Sequence, residues 1–384
     1  MVAKSELANT LFPLGFAEGP AFCNRDEERE RLKANILGGT HTYIMGVRRY
    51  GKTSLVRQVT RELSRKRSPQ VHTHSIDLFT VHTLEALDAL LRDAVGKLSA
   101  QFLPKNKRIL GRLGKIFAAF KPELTISDDG VSLKLFSESA STKSIQELLE
   151  GLDQAAVQYK RRAVLIIDEF QQIAQIDKHR TIEGSIRNVA QGAKGLSFVF
   201  LGSERSLLAQ MFEGPKRPLF NSSSERMDLE RISADDYRGF LQNAARLRWS
   251  RELSNNAIES IIGLTDRHAS YVNILCRDLW RGARLPSSQM VHGTWKAVLK
   301  RERHQAYQSM MALAHTQRTV LQALAIQPTG KPTAKDYLTR FNIAGSTMTK
   351  SIDVLMEKDF VRLSSDGEYE VIDPLVKGIM SERP

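Results

Sequence analysis

At 384 residues, 41% hydrophobic and 26% charged, the chain has material for two or three globular domains of ordinary composition. This excludes a disordered tail, a collagen-like fibre and a disulfide-stapled miniprotein, and Cys23 and Cys276 lie too far apart for a disulfide framework or zinc cluster. The 56 Lys and Arg against 43 Asp and Glu leave a net charge of +13, which favours a polyanionic partner, nucleic acid or acidic lipid. No run reaches the ~18 apolar residues of a membrane span. The opening MVAKSELANTLFPLGF lacks the apolar core of a signal peptide, so the expected location is the cytoplasm.

In chain order, Asn24 to Leu37 reads as a helix, His41 to Met45 as a buried strand and Thr53 to Leu63 as a helix. Val71 to Phe79 reads as a second strand, followed by an amphipathic helix from Thr83 to Phe102. The stretch from Gln101 to Lys121 then carries six basic residues (Lys105, Lys107, Arg108, Arg112, Lys115, Lys121) and no acidic one. Alternating residues on either side of Asp128-Asp-Gly predict a hairpin, inserted at about 104–138 into a strand-helix rhythm. That rhythm resumes with a helix over Lys143 to Tyr159, the strand Val164-Leu-Ile-Ile167, helical segments to Ala193, and the strand Leu196–Leu201. Met227 to Leu229 is a short last strand. Alternation of this kind predicts a parallel α/β sheet.

From Asp235 to His304 the pattern is wholly helical, with at least four segments. It contains a second basic cluster of Arg281, Arg284, Lys296, Lys300, Arg301 and Arg303. Helical patterns at Arg318–Ile326, Ala334–Phe341 and Ser346–Lys358 precede Phe360-Val-Arg-Leu, a Ser365-Asp-Gly turn and Tyr369-Glu-Val, the layout of a winged helix-turn-helix.

Gly46-Val47-Arg48-Arg49-Tyr50-Gly51-Lys52-Thr53, continued by Ser54, fits G-x-x-x-x-G-K-[ST] between a strand and a helix. Glycines let backbone amides wrap a phosphate, and the helix N-terminus adds positive dipole. Lys52 would reach the β- and γ-phosphates and the Thr53 hydroxyl would bind Mg²⁺, so the expected ligands are ATP and Mg²⁺. Such a loop needs an acidic partner at the end of a buried strand. Asp168, after four aliphatic residues, would hold the metal, and Glu169 would act as general base toward water. Ser203, after the next strand, could sense the γ-phosphate or orient water; a helix cap is the alternative.

MGVRRYGKTSL, LIIDEF and FLGSERSLL, in this order, resemble the archaeal-ATPase branch of P-loop NTPases, which belongs with the AAA+ and STAND groups. Phe22-Cys-Asn24-Arg25-Asp-Glu-Glu28 resembles that family's F-x-x-R-x-x-E motif, which implies that Asn24 and Arg25 touch the adenine. Gly367 to Leu375 resembles its winged-helix ending. The family's lid glycine and proline are missing from Asp266-Arg-His-Ala-Ser270-Tyr, where Arg267 or His268 could substitute. Either Arg217 or Arg226 could reach a neighbouring subunit as an arginine finger, a surface or strand-edge role being the alternative for each.

These readings predict an α/β P-loop core with an AAA+-like parallel sheet over residues 1–232, a helical lid over 233–310 and a winged helix over 311–384. The expected function is an oligomeric, Mg²⁺-dependent ATPase whose domain motion controls DNA binding or a DNA-associated assembly. Ser346, Thr347, Thr349 and Lys350 would face bases, and Arg362 would face phosphate. Residues 331–384, however, hold eight basic and nine acidic side chains, so a STAND-like switch whose winged helix docks a protein is the alternative. His72 and His74 share a strand face but have no third ligand nearby. The three tryptophans, Trp249, Trp280 and Trp295, are expected in the lid core.

Overall fold

The computed structural model describes residues 4–65, 70–103, 110–127, 130–137, 140–364 and 366–381. Lys105, Lys107, Arg108, the Asp128–Asp129 turn and Ser365 lie outside them. Helix α1 (Lys4–Leu11) is followed by α2 (Asp26–Gly38), strand β1 (His41–Met45), α3 (Lys52–Ser64), β2 (Val71–Asp77), α4 (Leu84–Ala100) and α5 (Leu110–Ile116). Next come β3 (Lys121–Ser127), β4 (Gly130–Phe136), α6 (Thr142–Gln158), β5 (Arg162–Asp168), α7 (Ile173–Ile176), α8 (Thr181–Gly192), β6 (Leu196–Leu201), α9 (Arg205–Glu213) and β7 (Ser224–Asp228). The helices α10 (Ala234–Trp249), α11 (Asn255–Thr265), α12 (Ala269–Arg281) and α13 (Ser288–Met310) lead to α14 (His315–Ile326), α15 (Lys335–Phe341) and α16 (Gly345–Glu357). Strands β8 (Val361–Leu363) and β9 (Tyr369–Val371) and helix α17 (Pro374–Ser381) complete the chain.

The chain folds as two compact units. One contains Arg25–Arg48 and Lys52–Leu229; the other contains Met1–Asn24, Arg49–Gly51 and Glu230–Pro384. In the first, five parallel strands run in the order β2-β5-β6-β1-β7. Strands β1 and β6 are buried along their whole length, as expected where helices cover both faces of a sheet. Parallel pairing lines up the carboxyl ends: Asp77 lies opposite Asp168, Ile167 opposite Phe200, and Ile44 opposite Leu201. Loops leaving one edge of the sheet therefore meet there, the usual place for ligands in such sheets.

The predicted hairpin is the antiparallel pair β3–β4. It lies on α4, where the Leu133 carbonyl comes so close to Gly96 that a Cβ would sit 2.3 Å from it. Phe117 and Phe120 are buried in the core, while Arg112, Lys115, Ala118 and Ala119 are exposed.

In the second unit Trp280 is fully buried beside Phe12 (ring centroids 4.8 Å apart) and Trp249 (5.1 Å), and donates from its indole nitrogen to the Ala244 carbonyl. Leu11 and Phe12 belong to this helical core, which is why the N-terminal segment, expected with residues 1–232, falls in the same unit as Glu230–Pro384. Helices α14–α16 and the β8–β9 hairpin form the expected winged helix, with Val361 opposite Val371. Helix α17 is an addition to that pattern. Asp373 starts it, its Oδ1 accepting from the amides of Leu375 (2.7 Å) and Val376 (3.2 Å), which gives the Asp-Pro-Leu ending a capping role. No helix among the described residues is long and apolar enough to cross a membrane.

Candidate functional site

The phosphate loop joins β1 to α3. Gly46 is packed against Leu229, where a Cβ would lie 3.0 Å from the carbonyl oxygen, and Gly51 has φ +92, so both fixed glycines are demanded by the backbone. Arg49 also takes a left-handed φ of 65°. Lys52 is buried, and its Nζ donates to the carbonyls of Gly46 (2.7 Å) and Val47 (3.2 Å), curling the ammonium back over the loop. Ser54 is buried on the first turn of α3, whereas Arg48 and Arg49 are exposed and Tyr50 is buried.

The Thr53 hydroxyl donates to Asp168 Oδ2 at 2.9 Å, across 115 residues of sequence. Asp168 ends β5, and its Oδ1 accepts from the Glu169 amide. Burial, with the carboxylates of Glu169 and Asp77 adding to it, pushes the Asp168 carboxyl above the usual aspartate range; the bonds from Thr53 and the Glu169 amide act in the opposite direction. A hydroxyl and a carboxylate suit Mg²⁺, which uses few protein oxygens and keeps water and phosphate as its other ligands. The 2.9 Å separation is close to that of neighbouring vertices of an octahedron with bonds of about 2.1 Å. The residues therefore fit the metal.

Glu169 has a left-handed φ of 52° that turns its side chain out of the strand direction. Its Oε2 accepts from Ser203 Oγ at 2.8 Å and from the Gln171 amide nitrogen. Gln171 is 1% exposed, and a Cβ on Gly202 would lie 2.5 Å from its Oε1. Sequence reading missed Gln171, although a buried amide two residues after two carboxylates marks a group held for its hydrogen bonds.

Other candidates sit apart from this cluster. Arg25 is 6% exposed, has a φ of 67° and pairs with Glu28 at 2.8 Å; Asn24 also has positive φ, 45°. Arg217 is turned inward and paired with Glu183, which is fully buried, whereas Arg226 is exposed on β7 between Glu213 (2.6 Å) and Asp228 (2.7 Å). Ser346, Thr349 and Lys350 are exposed on α16, and Thr347 is half-buried. Arg362 is bound by Glu370 at 2.5 Å, so its guanidinium is engaged within its own hairpin. His268 is buried against Tyr50 and Tyr271, with ring centroids 5.0 and 4.7 Å away. His72 and His74 both lie on β2, and among the described residues no group of three or more His, Cys, Asp and Glu is placed to hold a metal.

Residues 36–211 match the AAA domain family and residues 305–382 match a probable winged helix domain. Among solved structures the chain is similar to the Walker-type ATPase PABY2304 of Pyrococcus abyssi, with 18% identity, a TM-score of 0.70, and 96% of this chain and 99% of that one covered. It is also similar to the Aeropyrum pernix ORC2 protein in ADPNP-ADP complexes (14%, TM-score 0.60, 97% and 95% covered). The Aeropyrum pernix ORC1 protein in complex with DNA follows (16%, TM-score 0.50, 98% and 96% covered). No curated protein matches the chain. A phosphate loop and a strand-end Asp-Glu pair thus lie within a matched AAA domain that is followed by a matched winged helix domain, on a fold shared with the Walker-type ATPase of Pyrococcus abyssi.

Proposed function

We propose that this protein binds ATP with Mg²⁺, hydrolyses it, and uses the resulting change of state to control DNA binding or a DNA-associated assembly, as an oligomer. The observation that carries the hydrolytic part is the pairing of Thr53 with Asp168 beside a Glu169 whose carboxylate is aimed by two donors. A site that only stored nucleotide would have less use for a second carboxylate fixed in this way. Lys52 would neutralise the β- and γ-phosphates and the loop amides would fix them. Thr53 and Asp168 would hold Mg²⁺, which when bound spreads phosphate charge. Glu169 would accept the proton of the attacking water, and Ser203 and Gln171 would keep it oriented. Asn24 and Arg25 remain the proposed adenine contacts. Arg226, exposed as a residue that acts in a neighbouring subunit must be, is the better finger; Arg217 is committed to Glu183.

The DNA part is supported by net charge, by the exposed Lys296, Lys300, Arg301 and Arg303 of α13, by Ser346, Thr349 and Lys350 of α16, and by the likeness to an ORC1 protein solved with DNA. A second reading, a switch whose winged helix docks a protein, is favoured by one observation: Glu370 already neutralises Arg362, the wing residue expected on phosphate. Turnover measured with and without duplex DNA, in wild type and Glu169→Gln, tests both. Salt-sensitive stimulation by DNA supports the first reading, and turnover indifferent to DNA supports the second.

A further inference from the structure

Arg231 follows β7 and has a side chain only 4% exposed, yet no part of the nucleotide chemistry above uses it. Its planar fork is divided among three elements. Nε donates to the hydroxyl of Tyr50 in the phosphate loop at 2.9 Å. Nη1 pairs with Asp266, the left-handed residue that ends α11, at 2.6 Å, and lies 3.7 Å from Glu370 of β9. Nη2 donates to the Ile372 carbonyl just past β9 at 3.1 Å. Glu370 also holds Arg362, so two guanidinium groups and two carboxylates, those of Asp266 and Glu370, form one network around the buried Tyr50.

The tip this network grips is the strained part of the loop. Arg49 at φ 65° and Gly51 at φ 92° flank Tyr50, and a left-handed non-glycine residue persists only where its surroundings over-determine it. Tyr50 accepts from Arg231 at its hydroxyl and packs its ring perpendicular to that of His268. Arg49 is fixed by Gln305 of α13, whose side-chain oxygen, facing the guanidinium, accepts at 2.9 and 3.1 Å. A lysine in place of Arg231 could not serve three elements at once, since it lacks the rigid fork.

We propose that Arg231 is a positioning residue for the phosphate loop: through Tyr50 it holds the loop tip in its phosphate-ready shape and ties that shape to the wing strand β9. Nucleotide binding and the state of the wing are then linked, and linkage is reciprocal, so a phosphate that tightens the tip also tightens the wing. This rests on the reading of Gly46–Thr53 as a nucleotide site.

The test is the affinity of fluorescently labelled ADP with Mg²⁺ for the full chain, compared among wild type, Tyr50→Phe, Arg231→Met and the double variant, with Lys52→Ala as the binding control. Thermal midpoints of each are read alongside. The expected result is a Kd raised about tenfold or more by each single variant, with the double variant no weaker than the weaker single, because both remove the same bond. Hydrogen exchange at residues 369–372 should slow on ADP binding in wild type and not in Tyr50→Phe. A merely structural role would lower the thermal midpoints and leave both readouts unmoved. Should Arg231→Met fail to fold, Tyr50→Phe, which loses a single hydroxyl, decides alone. Wild-type Kd within twofold in the folded variants overturns the positioning role while leaving the nucleotide site standing. Absence of ADP binding by wild type, at the level of Lys52→Ala, overturns the nucleotide site and this inference with it.

Discussion

Ser203 Oγ lies 2.8 Å from Glu169 Oε2, and that bond joins the loops leaving two neighbouring strands of the sheet, β6 and β5. On the function proposed above, this bond has Ser203 set the direction in which the carboxylate points rather than sense phosphate directly. Gln171 completes the arrangement from the other side. Ser203→Ala and Gln171→Ala should therefore lower kcat by roughly tenfold each with KM little changed, because the geometry of the base and not nucleotide binding is altered. Steady-state ATPase kinetics check this.

Removing the base itself should cost more. Glu169→Gln is expected to bind ATP with wild-type affinity while kcat falls by about 10²–10⁴-fold, the usual contribution of a positioned general base. Lys52→Ala should lose nucleotide binding. Equilibrium binding and turnover, measured on the same preparations, separate the two effects.

The Asp168 carboxyl is raised above the ordinary aspartate range by burial first, with Glu169 and Asp77 contributing. An acid raised in the folded state favours folding when protonated. That contribution is full below its unfolded value and is lost as pH rises through the folded value, so the nucleotide-free protein carries the penalty at neutral pH. Asp168→Asn should accordingly raise the apo thermal midpoint at pH 7, by roughly 2–4 °C for each kcal/mol relieved. It should also abolish the stabilisation that Mg²⁺-ATP gives wild type. Scanning calorimetry with and without Mg²⁺-ATP reads both.

Glu183 is the buried partner of Arg217, and burial raises its carboxyl to about 7 against the opposing charges of Arg217 and Arg180. Its stabilising contribution is thus present at acid pH and declines as pH rises through about 7. Arg217→Met strips the carboxylate of its cation, and should destabilise by about 3–5 kcal/mol at pH 8. The loss should be distinctly smaller at pH 5.5, where Glu183 is neutral. Denaturant unfolding at the two pH values shows whether the penalty grows with pH as expected.

Arg226 tests the assembly. If it acts in trans, Arg226→Ala should leave ATP affinity intact and reduce turnover by about 10³-fold or more, the scale of an arginine finger. Mixing it with Glu169→Gln should restore turnover, since interfaces form in which each chain supplies what the other lacks. Turnover of the mixture no higher than that of the separate variants would remove Arg226 from the site.

What the sequence made legible follows from how local each signal was. The phosphate loop, the Asp168-Glu169 pair and Ser203 are fixed by short motifs at strand ends, and the parallel sheet follows from apolar runs such as Val164–Ile167. The winged helix could be read from three helical periods and two short strands. Illegible parts depended on partners distant in sequence. Gln171 matters because Gly202 leaves room for its amide, and Arg231 because Tyr50 and Glu370, 181 residues before and 139 after it, converge on one guanidinium. Helix α1 escaped notice because its buried residues, Ala8 and Leu11, find their packing partners in a helical core far along the chain. The Arg362–Glu370 pair is a cross-strand contact of the β8–β9 hairpin, and the sequence reading of Arg362 did not take the hairpin register into account.

The measurement that tests the central claim most directly is the ATPase rate of the purified chain with Mg²⁺, with and without duplex DNA at low and moderate salt, in wild type and Glu169→Gln. The account predicts Mg²⁺-dependent turnover that DNA stimulates, that salt diminishes, and that vanishes in Glu169→Gln. Turnover equal in the two proteins would contradict the assignment of Glu169, and a wild-type rate unmoved by DNA at either salt would contradict the coupling to DNA.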